Sequence, residues 1–133
     1  MITLNKQNIN FKNKKTCDCV VRALANASGK DYKQVAQELF ELYMKYGYMI
    51  NDKHTYERWL ENNGFIKYKQ PRKSDNTKYL VGEIDKLIRL GENAVISLSN
   101  HLTSVSNDEL VDIWDCRRKT IGNYYVKETE DDK

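Results

Sequence analysis

The chain has 133 residues, 40% of them apolar, and a formal net charge of +3 at pH 7. This size and composition predict a single domain over residues 1–133, with 1–12 and 128–133 loosely ordered. The basic residues are scattered, no apolar run approaches the ~20 residues that span a bilayer, and the start lacks a signal peptide. Neither nucleic acid nor a membrane is therefore an expected partner. Three cysteines, an odd number, indicate free thiols in a cytoplasmic protein.

Helices are predicted for the first half of the chain, after an irregular polar segment at 1–16. Three stretches have apolar residues at helical spacing, and each is followed by a glycine that would end a helix. They begin at Cys19, near Asp31 and at a cap on Asn51 or Asp52, and they end at Gly29, Gly47 and Gly64.

The second half of the chain changes to a strand pattern. A strand is predicted for GFIKYKQP, in which apolar and polar residues alternate. A polar loop, either a lid or a connector, is predicted for RKSDNTK. A fourth helix is predicted from Val81 to Gly91. Four short strands in a meander are then predicted for NAVISLS, HLTSVS, ELVDIWD and TIGNYYV. Helices followed by antiparallel strands predict an α+β domain.

Cys19 is the first candidate for chemistry, because it begins the first predicted helix. Unpaired N–H groups and the helix dipole favour an anion there, which makes a thiol more nucleophilic. The alternative is a small buried cysteine with no chemical role. A nucleophile needs a base, and the chain has two histidines. His54 lies in the polar string NDKHTYER and is expected to be exposed, so His101, which opens HLTSVS, is the candidate.

The strand after His101 offers two acids that can orient its ring, Asp112 and Asp115. If Asn107 and Asp108 form a two-residue hairpin turn, Asp112 becomes the same-face diagonal neighbour of His101, with Cβ atoms roughly 7–8 Å apart. A loop one residue longer would place Asp115 opposite His101 instead. The turn signal favours Asp112, and Asp115 stays the alternative acid.

The order Cys19, His101, Asp112 resembles that of the papain-like cysteine peptidases. The resemblance lies in three stretches. DCVVRALA is similar to the start of their central helix, and SNHLTSV is similar to the strand that begins with the catalytic His. DIWD is similar to the stretch that contains the orienting residue. A closer resemblance is to small papain-like (C39-like) proteins of bacteriophages and bacteria. They carry Gly-Asp-Cys-Val-x-Arg-Ala, Gly-His-x-x-x-Val and Asp-x-Trp-Asp, and the resemblance covers roughly residues 13–126.

The resemblance implies a papain-like fold, with N-terminal helices packed on a C-terminal antiparallel sheet, and a Cys-His-Asp triad without cofactor or metal. It also implies an oxyanion donor six residues before the nucleophile, where the family has Gln and this chain has Asn13, a shorter amide. Two residues depart from the family pattern: Cys17 replaces the Gly before Asp18, and Asn100 replaces the Gly before His101. Either would narrow the cleft or leave the site without activity.

Other patterns have simpler interpretations. A zinc site can be drawn through Cys17, Cys19, His54 and His101, with Cys116 in reserve. A single Cys-x-Cys is not the paired knuckle typical of structural zinc. Arg22, one turn from Cys19, could bind a substrate carboxylate or pair with Asp18, and an ion pair on the helix surface is the ordinary interpretation. Trp59 and Trp114 are expected in the core or in the wall of a cleft.

Two functions remain open at this point. The first is a cysteine hydrolase that cleaves a peptide, isopeptide or related acyl bond of a protein or peptide substrate. The second is a phage-encoded papain-fold protein that binds and inhibits a host protein without catalysis. The Lys-, Asn- and Tyr-rich composition suits a virus of a low-GC host, whose cytoplasm would then be the location. The two differ in whether Cys19 turns over a substrate.

Overall fold

Helices precede most of the sheet in the computed structural model, which describes residues 1–127. The helices are α1 (Cys19–Ser28), α2 (Tyr32–Tyr46) and α3 (Lys53–Asn62). The strands are β1 (Thr3–Lys6), β2 (Phe65–Tyr68), β3 (Ala94–Leu98), β4 (His101–Ser106), β5 (Glu109–Asp112) and β6 (Tyr124–Lys127). The α+β class is confirmed. None of the helices among these residues is long and apolar enough to cross a membrane.

The helix ends follow the local sequence signals. The Asp31 carboxylate accepts the Lys33 backbone N–H at 3.1 Å at the start of α2, and Asp52 caps α3 in the same way. Gly29 and Gly47 end α1 and α2 in the left-handed conformation, with φ of 75° and 84°. A side chain at either position would be strained, which explains why glycine stands there.

The sheet has the order β1-β5-β4-β3-β6-β2 and is mixed. The prediction of an antiparallel meander is correct for β3, β4 and β5 but wrong in two places. β6 pairs with β3 instead of β5, and β1 pairs with β5 in parallel. The chain reaches β6 through a loop after β5, in which Thr120 bridges to Leu80 and the Gly122 N–H donates to the Ser97 carbonyl.

The prediction that residues 1–16 are irregular and 1–12 loosely ordered is wrong for β1. Ile2 is buried, and its N–H donates to the Gly82 carbonyl at 2.8 Å, which anchors the strand that follows. The sequence signal for β1 is weak, because TLNK has one apolar residue and forms a short strand at the edge of the sheet. Residues 128–133 lie outside the described part of the chain.

The fourth predicted helix is a short 3₁₀ helix, Val81–Lys86. Its first turn is fixed by Glu83, whose carboxylate accepts the Leu80 N–H at 2.9 Å and pairs with Lys73 at 2.9 Å. The Lys73 contact ties the 72–78 loop to this helix. Because none of the loop's residues lines the cleft described below, the connector interpretation of RKSDNTK is favoured over a lid.

The sheet carries a core on each face, which the alternation of side chains along the strands explains. One core packs α1, α2 and α3 against Phe65, Val95, Leu102 and Tyr125. The other packs the 3₁₀ helix and the start of the chain against Ile96, Val105 and Leu110. Helix α1 is buried on nearly every side and packs against β4, the strand that begins with His101.

Candidate active site

Cys19 lies at the first residue of α1 and opens into a cleft of about 500 Å³. The thiol is half-buried. His101 also lines this cleft, together with the apolar residues Val20, Tyr56, Leu98, Leu102, Ile113 and Trp114. Trp114 is 38% exposed, and its ring centre is 5.2 Å from that of His101. The structure therefore brings the two candidate reacting groups to one accessible cleft.

His101 is held by Asp112, as the hairpin turn predicts. Asn107 and Asp108 both have positive φ, 53° and 64°, and Ser106 pairs with Glu109, so the turn has two residues. Asp112 then lies at the end of β5, and its Oδ2 is 2.7 Å from Nε2 of His101. The other ring nitrogen, Nδ1, is left for Cys19. A base oriented by a third group is the arrangement that nucleophilic catalysis requires.

The alternative acid, Asp115, is directed elsewhere. It is exposed, and its two oxygens accept from Nε and Nη2 of Arg117, each at 2.9 Å. The Arg117 guanidinium and backbone N–H lower the pKa of Asp115 to about 2. Of the two acids that the sequence left open, the structure places Asp112 and not Asp115 against His101.

The site favours a charged pair between Cys19 and His101. Burial raises the pKa of the Cys19 thiol, but a hydrogen bond with His101, the Leu102 N–H and the charges of His101 and Arg22 bring it below its ordinary value. Burial also disfavours a charged His101, yet hydrogen bonds and charges from Asp112 and Cys19 raise its pKa to about 9. The two shifts act together, because each one favours the charged form, thiolate for Cys19 and imidazolium for His101.

A buried chain of charges runs behind this pair. Nε of Arg22 donates to Oδ1 of Asp18 at 2.8 Å, and Nη1 donates to Oδ1 of Asp112 at 3.3 Å. The second oxygen of Asp18 accepts from Tyr32 at 2.7 Å and from Asn10 at 2.9 Å. The predicted pairing of Arg22 with Asp18 is therefore correct, but its placement on the helix surface is wrong. Because apolar residues surround Arg22 on α1, the pair is buried.

The structure does not bring Asn13 to the cleft. Asn13 is exposed in a turn where its N–H donates to the Asn10 carbonyl at 2.8 Å, and it is not among the residues that line the cleft. Its role as oxyanion donor stays a prediction. Asn51 does line the cleft, and its Nδ2 donates to the Cys17 carbonyl at 3.3 Å. Sequence reasoning considered Asn51 only as a helix cap, and Asp52 has that role.

Asn100 and Cys17 stand where the proteins that the sequence resembles have glycine. Asn100 adopts φ of 55°, the left-handed conformation that Gly and Asn tolerate best, so it can replace a glycine in the turn before His101. Cys17 is exposed and lines the cleft beside Cys19. Both residues line the cleft, and the expected narrowing or loss of activity stays a prediction.

The zinc ligands drawn from the sequence do not form one group. Exposed His54 stacks on Tyr48 and contacts Asp52 at 2.8 Å. Among residues 1–127 the group with suitable spacing is His101, Asp112 and Cys116 instead. Both oxygens of Asp112 already have partners, Arg22 on Oδ1 and His101 on Oδ2.

The Cys116 thiol lies 3.8 Å from Asp112 and is fully buried. Burial and the charge of Asp112 raise its pKa to about 12, so its thiol stays protonated and unreactive. Cys116 is therefore not expected to compete with Cys19 as a nucleophile. Buried Trp59 and cleft-lining Trp114 take the two places expected for tryptophan.

No protein-family model, curated protein or solved structure matches this chain. The site must therefore be interpreted from its own geometry.

Proposed function

We propose that the protein is a papain-like cysteine hydrolase, with Cys19 as nucleophile, His101 as acid and base, and Asp112 as the orienting residue. One observation supports this most: a thiol with a lowered pKa faces, in an accessible cleft, an imidazole whose far nitrogen is held 2.7 Å from a buried carboxylate. The substrate class is a peptide, isopeptide or related acyl bond.

The reaction follows from the charges of the pair. The Cys19 thiolate attacks the carbonyl carbon, and the carbonyl oxygen becomes an oxyanion. The Cys19 N–H, at the start of α1, is suited to donate to that oxyanion, and the Asn51 amide in the cleft is a candidate second donor. His101 gives its proton to the leaving amine or alcohol. Neutral His101 then takes a proton from water, which attacks the thioester and restores the thiolate and imidazolium.

The proposal predicts turnover of a generic activated ester, p-nitrophenyl acetate. Wild type should release a burst of about one equivalent of p-nitrophenolate, carry acetyl on Cys19 by peptide mass spectrometry, and then turn over steadily. Cys19→Ala should lose the burst and the steady rate, whereas Cys17→Ser should still be acetylated on Cys19. Acetyl that accumulates on Cys17, or on Cys19 with no later turnover, would contradict the hydrolase.

A binding function without catalysis is the second candidate, and one surface favours it. The end of α2 and the loop after it expose Phe40 (53%), Met44 (77%) and Met49 (59%), with Tyr46 and Tyr48 beside them. Exposed apolar patches of this kind are typical of protein contact sites. A host protein would be the proposed target. Absence of any ester turnover would favour this function over the first.

A further inference from the structure

Arg22 lies buried between the two carboxylates nearest the Cys19–His101 pair. It is 5% exposed, and its partners Asp18 and Asp112 are 6% and 2% exposed. Its guanidinium reaches both, at 2.8 Å and 3.3 Å. Arg22 lines the cleft, but both carboxylates that its guanidinium contacts lie inside the protein, which favours an internal role over the capture of a substrate carboxylate. Its contacts instead act on the groups that carry the chemistry.

The two oxygens of Asp112 have different partners. Oδ1 accepts from Nη1 of Arg22 and from the Ile113 N–H at 2.7 Å, whereas Oδ2 lies 2.7 Å from Nε2 of His101. A carboxylate rotates about its Cβ–Cγ bond unless both oxygens are held. The contacts on Oδ1 therefore set the direction of Oδ2, and through it the orientation of the His101 ring.

Charge gives Arg22 a second effect. Asp18 directly precedes Cys19 in the chain, and negative charge near a thiol disfavours its thiolate. Arg22 lies within an ion-pair distance of this carboxylate and of Asp112, so its charge offsets both. Burial raises the pKa of Cys19, and the charge of Arg22 is among the effects that lower it.

We propose that Arg22 is a positioning residue for the Cys19–His101–Asp112 site: it fixes the Asp112 carboxylate against His101 and offsets the negative charge that opposes the Cys19 thiolate. This inference rests on the proposed function for its catalytic meaning. Its effect on the reactivity of Cys19 is measurable without a substrate.

Other titratable groups near the site have to be controlled. They are Cys17 and Asp18 before α1, Arg22 on α1, Tyr32 on α2, Tyr56 on α3, His101 on β4, Asp112 on β5 and Cys116 after it. Burial raises the pKa of Tyr56 and brings those of Tyr32 and Cys116 to about 12. These three stay neutral at pH 6.5. A Cys17→Ser background removes the exposed thiol.

The test is the rate of Cys19 alkylation by iodoacetamide against pH in the full chain with Cys17→Ser. Arg22→Met should lower the rate at pH 6.5 roughly threefold to tenfold and move the profile to higher pH. Arg22→Lys keeps the positive charge, so its alkylation rate should lie between those of the parent chain and Arg22→Met. Asp18→Asn, which removes the negative charge next to Cys19 in the chain and keeps Arg22, should move the profile to lower pH. The double variant Asp18→Asn, Arg22→Met should recover part of the alkylation rate that Arg22→Met alone loses.

A merely structural role predicts a different result. Arg22→Met would then lower stability, but the folded protein, verified by circular dichroism and by protection of Cys116, would keep the wild-type profile. That result, or an Asp18→Asn profile that stays in place or moves to higher pH, overturns the inference. If Arg22→Met does not fold, the alkylation profiles of Arg22→Lys and Asp18→Asn test the inference in its place. Since p-nitrophenyl acetate measures turnover and iodoacetamide measures the thiolate, the hydrolase and the role of Arg22 can fail separately.

Discussion

Replacing Asp112 by Ala is expected to lower the free energy of unfolding by about 3 kcal/mol or more. The carboxylate is 2% exposed and pairs with Arg22 and His101. Its removal leaves a buried guanidinium with only Asp18 as partner and an imidazole without its acceptor. Uncompensated buried charge is costly, so the effect should exceed that of an ordinary truncation.

Asp115→Ala is the matched control, because Asp115 is the same residue type three positions later. Its salt bridge with Arg117 is exposed to solvent, which screens the attraction, so the loss of stability should be small. Urea unfolding of the two variants, followed by circular dichroism, measures the difference directly. Equal losses for the two variants would contradict the placement of Asp112 in a buried charge network.

Asp112→Asn separates the charge of Asp112 from its shape. The amide oxygen can still accept from Arg22, so stability should fall less than in Asp112→Ala. The pKa of His101, which hydrogen bonds and charges from Asp112 and Cys19 raise to about 9 against burial, should move down towards its ordinary value. NMR titration of the His101 ring measures that change. An unchanged His101 pKa would show that Asp112 does not stabilise the imidazolium.

The second large effect is expected for His101→Ala, which should lower the steady turnover of p-nitrophenyl acetate by a factor of about 10² to 10⁴. Without His101 the thiol loses its charged partner, and no group remains to take a proton from the water that attacks the thioester. Acetylated Cys19 should therefore persist longer than in wild type. Stopped-flow absorbance for the burst and intact-mass spectrometry for the acetyl group give both quantities.

His54→Ala controls for the loss of a histidine elsewhere. His54 is exposed on α3 and contacts Asp52 and Tyr48, so its variant should turn over at the wild-type rate. A loss in His54→Ala as large as that in His101→Ala would mean that the assay does not report on the proposed pair.

Local signals in the sequence are sufficient for α1, α2 and α3 and for the hairpin that carries His101. Asp31 and Gly47 bound α2, and the Asn107–Asp108 turn fixes the register that brings Asp112 to His101. Each of these depends on residues close together in the chain. The turn has the largest consequence, because a slip of one residue would exchange the faces of all later side chains in β5.

Long-range placement is what the sequence could not supply. The ion pair between Arg22 and Asp112 joins residues 90 positions apart, and no local pattern encodes it. A signal for the burial of Arg22 was available, since CVVRALANA is apolar on nearly every side of a helix. Nothing comparable distinguished Asn51 from Asn13 as the amide in the cleft. The parallel strand β1 was missed because its pairing with β5 spans the whole domain.

The central claim is that Cys19 and His101 form a thiolate–imidazolium pair, and site-resolved alkylation tests it most directly. Iodoacetamide would be reacted with wild type and His101→Ala across pH, with modified cysteines identified by peptide mass spectrometry. At pH 6.5 a free thiol is about 1% thiolate. A sulfur with a low pKa is intrinsically less nucleophilic, which offsets part of the gain from a larger thiolate fraction. We therefore expect the rate of Cys19 alkylation at pH 6.5 to fall roughly tenfold in His101→Ala. In wild type, Cys19 should react well below pH ~8 and far faster than buried Cys116. A Cys19 that titrates near pH ~8.5 in both proteins would contradict the pair, and with it the hydrolase.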